Sequence, residues 1–373
     1  MRFRIVYLSC CALLVFSCQT QQQPAPAPLL TTIQWDDDSV DRLANIIAQP
    51  EIIPLENSRD AAFSGINQIR YHKGHYYIFD KYGANSLLVF DSIGNFIRRI
   101  GRKGHGPGEF IQLNAFTIQR DTIFALDANG QKILAYSTEG VYLNDRKTAG
   151  LDYPDDLAWL SDGFLFYRAL YSDEQPDQVY AVSATNRDME PLQTDFKYTE
   201  QSPRVCFELS FFESDSSIVF SRYLNDTLIV FDRQGGIRET LFWDFGTAAI
   251  PRPLRSEVKA VLERSKDFTY LASAAVPAGP FLTGTVSDHG QRGVFLYDSR
   301  DKRIYADLTG ETIPALPSNL AAKDSTAIVS WLSYGVKDNF IPSLGKERVA
   351  ELLPALENGQ IFLVVYPLKK NVL

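Results

Sequence analysis

The chain has 373 residues and a formal net charge of −8, from 37 Lys and Arg against 45 Asp and Glu. An acidic balance of this size argues against nucleic acid or polyanionic lipid as a partner. Aromatic residues reach 12%, with 24 Phe and 18 Tyr, a composition that suits an all-β protein packing sheet on sheet.

The first element is a targeting segment. Arg2 and Arg4 precede an apolar run over 5–16, too short to span a bilayer as a mature helix and suited to a signal peptide. It ends in Val15-Phe16-Ser17-Cys18, which resembles a bacterial lipobox. That resemblance implies cleavage after residue 17 and lipidation of Cys18; the alternative is ordinary cleavage beside a chance cysteine. Acyl chains would hold the protein on a membrane at about 0.8 kcal/mol per buried CH₂. Residues 19–30, QTQQQPAPAPLL, cannot bury a core and read with Cys18 as a flexible tether over 18–34. Cys10 and Cys11 would leave with the leader, so Cys206 is the one thiol expected in the mature fold, as a small buried hydrophobe.

From residue 35 onward the text is short alternating strands stopped by Gly, Asn, Asp or Pro. EIIPLE (51–56) is a strand without an obvious neighbour. HYYIFD (75–80), SLLVFD (86–91) and FIRRIG (96–101) form one series, and DTIFALD, KILAYS and VYLNDR (121–146) repeat it. GFLFYRAL and QVYAVSA follow, then SIVFSRY, TLIVFD and IRETLFW, then three more strands over 279–308. AIVSWLS (327–333) and IFLVVYPL (361–368) close the chain. The phrase Phe90-Asp91-x-x-Gly94 returns as Tyr136-Ser137-x-x-Gly140 and Phe231-Asp232-x-x-Gly235, with a worn copy near residue 183. A period of about 47 residues in β-rich text marks propeller blades, and six such blades fill residues 35–373. Helical spacing intrudes twice, over 256–268 with Ser256 as N-cap and over 346–356 where Pro354 loosens the end. The ring is expected to close by pairing 51–56 with 361–368, because an open blade would expose an unpaired edge.

Residues 76–110, YYIFDKYGANSLLVFDSIGNFIRRIGRKGHGPGEF, resemble the six-bladed β-propeller lipoproteins of Bacteroidetes, relatives of NHL-repeat propellers. The matching positions are Asp80, Phe90-Asp91, Gly94, Phe96, Ile100-Gly101, Gly104 and Gly106 to Phe110. The ending ENGQIFLVVYPLKK is similar to that family's closing strand. The resemblance implies the fold and an envelope address: an outer-membrane lipoprotein facing the periplasm or the cell surface.

Gly101, Gly104, Gly106, Pro107, Gly108 and Glu109 read as a tight inter-blade crossing with glycines at positive φ and Glu109 anchoring backbone amides. A phosphate loop would need a helix to follow, and strand follows instead. His72 and His75 lack further ligands at metal-site spacing, so no metal and no cofactor is expected. No nucleophile elbow or triad is legible, and no catalytic residue is assigned. Asp80 and Asp127 end second strands and either brace their own turns or, with Lys81, Tyr82, Asn129, Tyr171 and Arg222, form a ligand site at the channel mouth. The expected function is non-catalytic binding or scaffolding, with a protein, peptide or glycan ligand. The alternative is an envelope lyase or hydrolase.

Overall fold

The computed structural model describes residues 27–36, 40–148, 150–171, 174–204, 209–316 and 320–370. The leader, Cys18 and Cys206 lie outside them. Six antiparallel sheets of four core strands form the ring, a six-bladed β-propeller. Blade one runs Gln68–His72, His75–Asp80, Ser86–Phe90 and Phe96–Ile100 from the axis outward. Blade two spans Ala115–Gln119 to Tyr142–Lys147, and blade three spans Asp156–Leu160 to Pro191–Lys197. Blade four spans Phe211–Glu213 to Ile237–Asp244. In blade five, Thr269–Leu271 and Val276–Ala278 both pair with Phe281–Asp288.

Blade six closes the ring as the sequence suggests. Its strands Ala321–Lys323, Ala327–Leu332 and Phe362–Pro367 are completed by Glu51–Pro54, with Ile53 opposite Leu363. Both side chains are buried in the seam with Val329 and Val365. The physical driver is the one expected: pairing removes two edges and buries two β-branched or leucine faces at once.

The tether is shorter than the sequence suggested. Leu29–Gln34 pairs in parallel with the outer strand of blade four, Thr31 Oγ1 donates to Glu239 Oε1 at 2.7 Å, and Ile33 is buried beside Trp243. The run LLTTIQ is β-prone once the Pro-Ala alternation ends, and it covers an otherwise open edge. Asp41–Arg42 then adds to the edge of blade five, and Leu43, Ile46 and Ile47 are buried on the way to blade six. Residues 29–36 and 40–54 therefore strap three successive blades.

The repeated phrase is the turn between third and fourth strands. Asp91 Oδ1 accepts from the amides of Ile93 and Asn95, and Asp232 Oδ1 accepts from those of Gln234 and Gly236. Ser137 Oγ takes the Val141 amide in blade two, and Asn186 Oδ1 takes those of Asp188 and Glu190 in blade three. A short side-chain oxygen at this position satisfies the turn's amides, so Asp, Asn and Ser are interchangeable there. Gly94, Gly140 and Gly235 have φ near +90°, whereas Met189 occupies the same left-handed position in blade three.

Helices are insertions. Lys346–Glu357 runs through Pro354 instead of ending there and, with Phe340, buries Val349 and Leu356 against blades five and six. The shorter Val258–Glu263 is not capped by Ser256, whose hydroxyl donates to the Pro253 carbonyl, and it begins after Glu257.

Candidate functional site

The innermost strands line a channel cavity of about 1030 Å³ that takes residues from all six blades. Its turn residues, among them Arg120, Ser161, Asp215 and Asp324, lie where first strands join second strands, so it belongs to that face of the ring. On the inner strand of blade one, period-two alternation sets Gln68, Arg70 and His72 on one side. Gln68 grips the neighbouring blade, giving and receiving hydrogen bonds with the Phe116 backbone at 2.9 and 3.1 Å.

Glu213, at the end of the inner strand of blade four, is the electrostatic centre. Its carboxylate receives Arg70 at 2.6 Å, Arg233 at 3.0 Å, the Thr117 hydroxyl at 2.6 Å and the Trp159 amide at 3.1 Å. Four blades thus meet on one carboxylate. Arg233 lies 3.7 Å over the Trp159 ring and donates to the Trp159 carbonyl at 2.8 Å. Burial lowers the Arg233 pKa, and Glu213 opposes that shift. Taking away one member of such a group would strand a buried charge, at a cost of roughly 3–5 kcal/mol.

Asp156 begins the inner strand of blade three and is fully buried. Its carboxyl accepts from the amides of Ser210, Phe211 and Leu157 at 2.8–2.9 Å. Burial still wins and pushes its pKa up to about 6, with the three amides and Arg70 pulling the other way. Nearer the turns, the rim carries Arg120, Arg187, Asp215, Asp324 and the rings of Tyr71 and Trp331. Arg187 is held by Asp162 at 3.1 Å and the Ser161 carbonyl at 3.1 Å. Among the described residues no group of three His, Cys, Asp or Glu is arranged to hold a metal ion. His72 faces Asp121 at 3.7 Å.

None of the seven residues expected at the channel mouth lines this cavity. Asp80 accepts from the amides of Ser64, Gly83 and Ala84, and Asp127 from those of Ile111, Gln112 and Gly130. Both are buried braces that tie a second-strand turn to the connector entering the blade. Lys81 lies over the Tyr82 ring, Asn129 donates to Gln112, and Tyr171 donates to Asp155 at 2.6 Å. These loops follow second strands and lie on the opposite face from the turns that line the channel. Arg222 lies in a different cavity, between blades three and four.

The glycine-rich crossing is structural, with one correction. Gly101, Gly104 and Gly108 have positive φ, at 64°, 156° and 70°, but Gly106 does not. Arg102–Lys103 pairs in parallel with Glu109–Phe110, and Glu109 accepts from the Gly106 amide at 2.8 Å and from Arg102 at 2.6 Å. Those bonds, the Gly106 amide first, lower the Glu109 pKa.

Residues 30–357 match the family model described as "Domain of unknown function (DUF4934)", and the chain belongs to that family. No curated protein matches it. Among solved structures it is similar to a Bacteroides fragilis NCTC 9343 protein described as exported, with 16% identity and a TM-score of 0.70 over 91% of this chain and 100% of that one. It is also similar to a member of the DUF4221 family from Bacteroides vulgatus, with 11% identity and a TM-score of 0.53 over 87% and 97%. At these identities the likeness is one of fold.

Proposed function

We propose that this DUF4934 member is a lipid-anchored envelope propeller that binds a peptide or glycan at the channel mouth without transforming it. The observation that carries the reading is a roomy channel cavity beside which two buried carboxyl groups, Glu213 and Asp156, are already engaged. Glu213 is saturated by two guanidinium groups, a hydroxyl and an amide, and Asp156 by three amides. Neither is placed to take a proton from a substrate, since the four donors occupy the Glu213 oxygens and Asp156 does not line the cavity. The rim, by contrast, offers guanidinium groups, carboxylates and aromatic rings from different blades, the mixture that gives orientation and specificity in a binding pocket. The anchor is assigned to Cys18 from its lipobox-like setting. No helix among the described residues is long and apolar enough to cross a membrane.

Two measurements test this. Fatty-acid labelling of the native chain and of Cys18→Ala should label only the first; equal labelling ends the lipoprotein reading. Glycan and peptide arrays probed with the purified protein should return a ligand that Arg120→Ala and Arg187→Ala bind at least about tenfold more weakly, with melting unchanged. Turnover of that ligand, or undiminished binding by both variants, overturns the binding reading.

A further inference from the structure

A second cavity, of about 690 Å³, lies on the face opposite the channel turns, at the seam of blades three and four. Its walls come from the end of blade three, the connector that follows, the second turn of blade four and the connector to blade five. Four cations line it (Lys197, Arg222, Arg252 and Arg255) against one carboxylate, Asp226. That carboxylate is already taken by Arg255, which also donates to the Leu224 carbonyl at 2.7 Å. The pocket therefore holds an excess of positive charge in a chain whose net charge is −8.

Arg222 is the unanswered cation. Partly buried, its guanidinium lies 5.7 Å from the Phe196 ring and beside Tyr167 and Tyr198, and it makes no hydrogen bond or ion pair with any described residue. A guanidinium that lines a cleft with no carboxylate of its own keeps its donors available to an anion entering from outside. Tyr198, fixed by donating to the Arg168 carbonyl at 2.7 Å, lines the same wall with Thr199, Ser202 and Asn225. These groups would surround a docked anion with hydroxyl and amide contacts.

We propose that this cavity binds a small anionic ligand whose carboxylate or phosphate group docks on Arg222, with Lys197 and Arg252 at the rim drawing it in. The planar guanidinium fork matches both oxyanions, and the volume suits a small molecule. The site is independent of the channel and survives if the channel reading fails.

Calorimetric titration of the purified protein with glucose 6-phosphate, glucuronate and glucose tests it. One or both anions should bind and neutral glucose should not, and which anion binds identifies the group recognised. Arg222→Met should weaken binding about tenfold or more, while Arg252→Gln weakens it less and flattens its salt dependence. Arg120→Ala, at the channel rim, should bind the anion as the native protein does. Failure of both anions to bind, or native affinity in Arg222→Met, overturns the proposal. Should Arg222→Met fail to fold, native affinity and native salt dependence in Arg252→Gln overturn it instead.

Discussion

At the scale of single residues, Asp156 and Glu213 face the same problem and solve it differently. Both carboxyl groups are buried near Arg70, but Glu213 has cations bonded to it whereas Asp156 has only backbone amides. Amides offset part of the lost hydration and leave the Asp156 pKa at about 6, above its ordinary 3.8. The folded state therefore takes up a proton that the unfolded chain does not between about pH 6 and pH 4. This group adds stability as pH falls through that window and withholds it above, by on the order of 1–3 kcal/mol. Asp156→Asn keeps an oxygen for the Ser210 and Phe211 amides and carries no charge. Its melting temperature minus that of the native protein should be larger at pH 7.5 than at pH 4.5. A difference independent of pH would show that Asp156 does not titrate in this range.

At the scale of elements, legibility depended on which face of a strand meets water. Outside the innermost position most strands alternate or run apolar, as in SLLVF, and are readable from period alone; the exposed outer strand Pro191–Lys197 of blade three is not. Nor are the innermost strands. QIRYH, AFTIQ and FFE are short and put Arg70, Gln68, Thr117 and Glu213 into a polar channel, so they lack the apolar weight that marks the other strands. That is also why the sequence placed the site on the loops after Asp80 and Asp127: their residues were visible, and the channel's were hidden in strands too short to register. The regular gap of text ahead of each readable series was the signal that an inner strand was missing. Glycine content likewise flagged the crossing at 101–108 without showing which glycine is indispensable. Gly108 holds φ at 70° and a Cβ there would meet Tyr142 at 2.8 Å, whereas at Gly106 the nearest atom is the movable Glu109 carboxylate at 3.2 Å. Gly108→Ala should lower the unfolding free energy measured by urea titration by about 1–2 kcal/mol, and Gly106→Ala by much less. Equal losses would mean that the crossing is held by something other than backbone conformation.

At the scale of the molecule, six similar blades are made into a closed ring by one non-repeating segment. Its strands Leu29–Gln34 and Asp41–Arg42 cover the edges of blades four and five before Glu51–Pro54 completes blade six. Deleting residues through Glu56 should leave blades one to three folded but expose the amides of Phe362–Pro367, as hydrogen exchange would report. Adding a synthetic peptide of residues 41–58 should restore their protection. Unchanged protection in the deleted protein would mean that blade six stands without the clasp.

The same strap sets an order of events in time. Glu51–Pro54 leaves the ribosome early and its partner, Phe362–Pro367, nearly last. Until that partner exists, an apolar strand must wait unpaired, and the ring cannot seal however quickly single blades form. Contacts between such distant stretches of chain are slow to make, and they postpone the final cooperative step until the whole polypeptide is available.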